Sequence, residues 1–363
     1  MKKRILIASY NLDYGGIETS LVNLLKNIDL SRFEVTLVLE RKEGVFLKDV
    51  PRGIKIKEYK TSNSNNILLR KCLNLFNRIK WLLFNYKKYH ASISYATYSK
   101  PCSFLARTSS KNRILYVHSN YYEAYNKDEC KVKRFFDGIK ICEYNHIVFV
   151  SSESKEALCS IYPEIEKKSV IINNLIDYKK ILKLSEKKIN ITKNGNRVFL
   201  FVGRLDESSK RLTLLLNVAK KCKKEKLNAL FWIIGSGPDE NMYKEIAKKD
   251  NLDNVIFMGP KENPYPYMRA CDYLMLTSRY EGFPVVYNEA IILEKPIITT
   301  IDVSDDYISI PNRFGYIVSE NNIYQKVKEV TVKKEKIKEK VDYHVLNKKR
   351  ISLIESIMER YND

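Results

Sequence analysis

Both halves of the chain open with the same local order: a short apolar run, a glycine turn, then a helix with one apolar face. In the first half, Arg4-Ile-Leu-Ile-Ala-Ser9 is an apolar run suited to a strand buried on both faces. Gly15-Gly16-Ile17-Glu18 follows. Over 19–28, Leu21, Leu24, Leu25 and Ile28 then fall on one helical face. In the second half, the run Arg197-Val-Phe-Leu-Phe-Val202 precedes Gly203 and a helix from Leu212. Parallel strands need such helical crossovers, so the order predicts an α/β chain with parallel sheets. Ligands of such sheets bind at the carboxyl ends of strands. No G-x-G-x-x-G follows either run, so the dinucleotide fingerprint of a dehydrogenase is absent.

A length of 363 residues allows two cores. Further strands are expected in the first half at 34–39, 55–59, 92–95, 113–117 and 146–150. In the second half they are expected at 229–234, 254–259, 273–277 and 295–300. The lysine-rich stretch 179–196 reads as the linker. Residues 1–175 are expected to form one domain and 176–340 the other, with 341–363 a final helix. In that tail, Val345, Leu346, Ile351, Ile354 and Ile357 make the apolar side. Seven cysteines, an odd number without a C-x-x-C pair, point to reduced thiols in the cytoplasm. The apolar start breaks at Asn11 and Asp13, which fits a first strand better than a signal peptide.

The formal charge of +21 admits three explanations: a nucleic-acid partner, an anionic membrane surface, or a lysine-rich compositional bias. No nucleic-acid recognition motif accompanies the charge, so no nucleic-acid partner is expected. Residues 67–89 interleave Arg70, Lys71, Arg78, Lys80, Lys87 and Lys88 with a helical apolar repeat and with Trp81, Phe84 and Tyr86. Two roles fit this stretch. One is a helix lying on an anionic membrane face. The other is an ordinary helix packed on the sheet, which is the expectation adopted.

Candidate site residues gather after the strands. Arg204 offers a forked donor and Lys210 a point charge beside a helix start, a chemistry suited to a diphosphate. Gly203 and Gly235 mark turns. His118 directly follows a strand, where an imidazole can donate to an oxyanion or orient a hydroxyl. Glu281 and Glu289 flank a Gly-Phe-Pro turn. Pro284 suits the first turn of a helix, with Glu281 ahead of it and Glu289 one to two turns inside. The N–H groups of that first turn attract an anion. Tyr265 enters a helix after Asn263-Pro264 and could flank a base.

These segments, in this order, resemble the retaining glycosyltransferases of family 4, which have the GT-B fold. The resemblance is carried by Gly15-Gly16-Ile-Glu, Val117-His118-Ser, Phe201-Val-Gly-Arg-Leu205 with Lys210, Gly235-Ser-Gly237 and Phe257-Met-Gly259. Asn263-Pro-Tyr-Pro-Tyr and Glu281-Gly-Phe-Pro through Glu289 complete it. It covers most of the chain and is strongest over 197–300. It implies two Rossmann-like domains facing a central cleft, the first binding the acceptor and the second a UDP- or GDP-linked sugar. The last helix would return to the first domain.

By the same resemblance, Arg204 and Lys210 neutralise the leaving diphosphate and Glu289 holds the ribose hydroxyls. Glu281 contacts the donor sugar near its reacting carbon, and His118 contacts it from the acceptor side. Gly15 and Gly16 form the loop that closes over the donor. Backbone amides from Phe283 to Val286, Val285 included, bind phosphate, and Met258 lies near the base. Arg211 departs from the pattern, because the family often has glycine there.

No metal or other cofactor is expected. Arg204, Lys210 and the helix N-terminus can take up the leaving charge, and the one pair of adjacent aspartates, Asp305-Asp306, lacks a strand to present it. The acceptor is expected to be a lipid-linked saccharide, with the enzyme cytoplasmic and peripheral on the inner membrane face. Capsule, exopolysaccharide or teichoic-acid assembly is the expected setting. The competing functions are a non-enzymatic nucleic-acid binder and a sugar-nucleotide epimerase of the same fold.

Overall fold

The computed structural model describes residues 1–280, 285–301, 313–333, 337 and 339–360. The chain forms two compact units. One takes Met1–Ile176 together with His344–Asp363, and the other Asp177–Tyr343.

The first unit holds β1 (Lys3–Ser9), β2 (Phe33–Leu39), β3 (Lys55–Glu58), β4 (Ala91–Ser94), β5 (Asn112–Val117), β6 (His146–Phe149) and β7 (Ser169–Ile171). They lie in the order β3-β2-β1-β4-β5-β6-β7, every neighbouring pair parallel. Side chains of a strand alternate between faces. Ile5 and Ile7 enter a core with Leu21, Leu24 and Leu25 of the Gly16–Asn27 helix. Leu6 and Ala8 enter a second core with Trp81, Tyr89 and Leu105 on the opposite face. This two-sided burial is why the strands are apolar throughout.

The Tyr343–Glu359 helix adds Ile354, Ile357 and Met358 to the first of these cores. Arg32 pairs with its Glu355 at 2.8 Å. The Asn347 amide donates to the Ile176 carbonyl at 2.7 Å, and its oxygen accepts the Ile176 N–H at 3.2 Å. Val345, expected on the apolar side, is instead exposed.

The second unit holds β8 (Arg197–Val202), β9 (Ala229–Ile234), β10 (Val255–Phe257), β11 (Tyr273–Leu276), β12 (Ile297–Thr299) and β13 (Gly315–Ile317). Their order is β10-β9-β8-β11-β12-β13, again parallel. In both sheets the direction of winding reverses between the first and fourth strands. That places the ligand crevice of the second sheet at the carboxyl ends of β8 and β11.

Part of the expected linker is helical. Tyr178–Ser185 forms a helix because Asp177 caps it, accepting the Lys180 N–H at 3.1 Å, and Ile181 and Ser185 are buried. The polar composition of 179–196 hid this helix. The Ile67–Asn85 helix departs from the adopted expectation in another way. It buries Trp81 and Asn85, while Ile67, Leu68, Leu69, Leu73, Leu75, Phe76, Ile79, Leu83 and Phe84 stay exposed. Its apolar face is not packed on the sheet.

Candidate active site

In the second unit, two loops flank the point where the winding reverses. The loop after β8 carries Gly203, Arg204 and Lys210. A short helix, Glu207–Lys210, precedes the expected one, which spans Leu212–Lys224. Asp206 caps the short helix, accepting the Ser208 N–H at 2.9 Å. Arg204 is exposed, and Lys210 is partly buried. The Lys210 side chain lies over the glycine turn, since a Cβ at Gly203 would stand 4.0 Å from its Cε.

The turn after β9 is laid against this loop. Gly235 has φ +145, and a Cβ there would fall 1.8 Å from the Gly203 carbonyl oxygen. A Cβ at Gly237 would fall 2.3 Å from the Leu205 oxygen. The Gly203 N–H donates to Ile234 at 3.1 Å, and the Leu205 N–H to Ser236 at 3.0 Å. The Gly-Ser-Gly turn therefore supports the Gly203 loop from behind by backbone contact. Met258 follows β10 and donates its N–H to Ile233 at 2.8 Å.

The loop after β11 begins with Thr277 and Ser278, both fully buried. Glu281 and Phe283 lie outside the described residues. Val285 and Val286 open the Val285–Ile292 helix, which carries Glu289 in its second turn, the placement expected from Pro284. The Tyr265 hydroxyl donates to Glu289 Oε1 at 3.0 Å. Burial pushes the Glu289 carboxyl up to about 7, opposed by that bond. Burial first, and then Glu289, raise the Tyr265 phenol. The structure thus joins two candidates that the sequence leaves 24 positions apart.

Arg211 was legible only as a departure from a pattern. It sits in the left-handed region (φ +49), and its side chain is one tie between the two loops. Its Nε donates to the Thr277 carbonyl at 3.0 Å and its Nη2 to the Ser278 carbonyl at 3.3 Å, while Nη1 pairs with Glu320.

In the first unit, Gly15 and Gly16 follow β1. A Cβ at Gly16 would meet nothing within 4 Å, so that backbone is open to an approaching ligand. At Gly15 a Cβ would fall 2.1 Å from Glu18 Oε2. Burial raises the Glu18 carboxyl, and a hydrogen bond from Tyr98 opposes the rise. His118 follows β5 in an aromatic stack, 4.5 Å from the Tyr95 ring and 5.5 Å from the Tyr116 ring. Among the described residues neither of its ring nitrogens meets a partner at hydrogen-bond geometry. Burial lowers its pKa to about 3, and the Tyr95 backbone pulls slightly the other way. The imidazole is therefore neutral at physiological pH.

The second unit thus offers two cationic side chains after β8 and a buried carboxylate in the helix after β11. The Glycosyl transferases group 1 family matches residues 183–341, nearly the whole of this unit. The fold of the chain is shared with Anabaena Alr3699/HepE, solved in complex with UDP. That likeness has a TM-score of 0.73 at 17% identity over 98% of this chain and 100% of that one. The chain has the GT-B fold.

Among curated relatives, a Methanocaldococcus jannaschii protein, uncharacterized glycosyltransferase MJ1059, is 28% identical over 52% of this chain and 47% of its own. The chain thus spans about half of that relative's length. A Campylobacter jejuni enzyme is 24% identical over 90% of this chain and 89% of its own. It is an N-acetylgalactosamine-N,N'-diacetylbacillosaminyl-diphospho-undecaprenol 4-alpha-N-acetylgalactosaminyltransferase.

Proposed function

We propose that this protein is a glycosyltransferase that moves a hexosyl group from a UDP- or GDP-linked sugar to a lipid-linked saccharide, with retention of configuration and without a metal. The observation that carries the proposal is the pair of loops at the carboxyl ends of β8 and β11, with Arg204 and Lys210 on one and the Glu289–Tyr265 pair beyond the other. The named substrate of the Campylobacter relative, a saccharide on diphospho-undecaprenol, supports the acceptor class.

In the transfer, the bond from the anomeric carbon to the phosphate oxygen breaks, and its electron pair leaves with the diphosphate. The acceptor oxygen bonds to the same carbon, and its proton passes to the departing phosphate. Negative charge develops on that phosphate, so fixed cations act most strongly at the transition state. Arg204 and Lys210 would supply them, and the N–H groups at Val285 and Val286 would add neutral hydrogen-bond donors. Glu289 would accept the ribose hydroxyls, with Tyr265 beside the base. Met258, at the end of β10, would also border the base. Glu281 would position the sugar and stabilise its positive charge without a covalent adduct. Gly16 and the neutral His118 of the first unit would meet the sugar.

The exposed apolar row of the Ile67–Asn85 helix supports a peripheral place on the inner membrane face, with the product entering capsule, exopolysaccharide or teichoic-acid assembly. Sugar transfer assayed in chelator is the decisive experiment. Full turnover is expected there. Loss of turnover that a divalent metal restores would overturn the metal-free mechanism. Lys210→Ala should lose about 100-fold or more in kcat with its fold intact, as removal of one transition-state donor does.

A further inference from the structure

We infer that Arg211 is a positioning residue of the donor site, holding the Lys210 loop and the loop after β11 as one unit. The inference rests on the donor-site reading above and deepens it. Three sets of contacts join the loops. The guanidinium donates to the carbonyls of Thr277 and Ser278. The Thr277 hydroxyl returns the contact, lying 2.9 Å from the Lys210 oxygen and 3.0 Å from the Arg211 oxygen. The Arg279 N–H donates to the Ser209 carbonyl at 2.8 Å. Ser278 is held from its other side by the Thr300 hydroxyl at 2.7 Å.

The backbone at Arg211 lies in a region that disfavours any residue with a Cβ, and arginine occupies it all the same. Glycine would fit that backbone better, yet it would supply no arm. Nor is lysine equivalent: a planar fork reaches two carbonyls and a carboxylate together, whereas an ammonium is a single point. The strained conformation persists because the side chain is anchored at three places. Lys210 is the next residue back, so the anchor fixes the direction from which its ammonium approaches a phosphate.

The test titrates UDP and GDP into the full chain by calorimetry, beside thermal melting, for wild type and for Arg211→Gly, Arg211→Lys and Lys210→Ala. Arg211→Gly should melt close to wild type while losing about tenfold in nucleotide affinity. Guanidinium ion below denaturing concentrations should restore part of that loss, and should do nothing for Lys210→Ala. Arg211→Lys should fall between Arg211→Gly and wild type, and it keeps the comparison readable if the glycine variant folds poorly. Wild-type affinity in both Arg211 variants, with affinity lost in Lys210→Ala, would overturn the role of Arg211 and leave the donor site standing. Undiminished affinity in Lys210→Ala, or no binding of either nucleotide by wild type, would overturn the donor site and the inference with it.

Discussion

Tyr265 donates its hydroxyl to Glu289 Oε1 across 3.0 Å, so a phenol already occupies the carboxylate proposed to receive the ribose. Burial raises Glu289 from 4.5 to about 7. Between those values the folded chain holds a proton that the unfolded chain has released. The contribution to stability is therefore complete below about pH 4.5 and is lost as pH rises through about 7. Denaturant titrations of wild type and Glu289→Gln across this range should diverge by roughly 3 kcal/mol. Parallel curves would mean that Glu289 titrates normally.

Gly235 carries a second prediction. Its φ of +145 disfavours any side chain, and an added methyl would stand 1.8 Å from the Gly203 oxygen. Neither backbone can yield cheaply, because Gly203 also donates to Ile234. Gly235→Ala should destabilise the second unit by about 3 kcal/mol. It should also weaken nucleotide binding by displacing the Gly203 loop. A variant that melts like wild type would show that the turn is slack.

What the sequence discloses of this molecule follows from what is repetitive in it. Strands buried on both faces have to be apolar, so β1, β2, β8 and β9 were readable as runs. The three-residue β13 offers too little chain to carry a pattern. Helical periodicity marked the Ile67–Asn85 helix, but periodicity does not say what covers an apolar face. The site divides along the same line. Glycine after a strand is a local signal, and it marked Gly203 and Gly235. The Tyr265–Glu289 bond and the Arg211 arm are made through space, between segments 24 and 66 positions apart, and nothing local announces them.

His118 should not titrate in the physiological range. Burial holds its pKa near 3, so between about 3 and 6.5 the unfolded chain binds a proton that the folded chain refuses. Stability then falls as pH drops through that window. Proton spectra of the imidazole should stay unchanged from about pH 8 to 5, where a free histidine passes its midpoint near 6.5. A His118 resonance moving with a midpoint near 6.5 would show that water reaches the ring.

The Ile67–Asn85 helix supplies the last prediction. Its exposed apolar residues lie in a stretch with no acidic residue between Glu58 and Glu123. Arg70, Lys71, Lys80 and Lys88 are exposed along it. An apolar stripe flanked only by cations suits a bilayer with anionic headgroups, which attract each cation by about 1 kcal/mol. The protein should sediment with vesicles containing phosphatidylglycerol and release as salt rises, while neutral vesicles should hold it weakly. Changing those four residues to Glu should remove at least about 4 kcal/mol of binding, enough to abolish sedimentation. Leu83→Ser with Phe84→Ser should weaken binding without altering its salt dependence, because the apolar and ionic contributions are separate. If wild type stays in the supernatant with anionic vesicles at low salt, the helix has no membrane role, and the charge of the chain belongs to its composition.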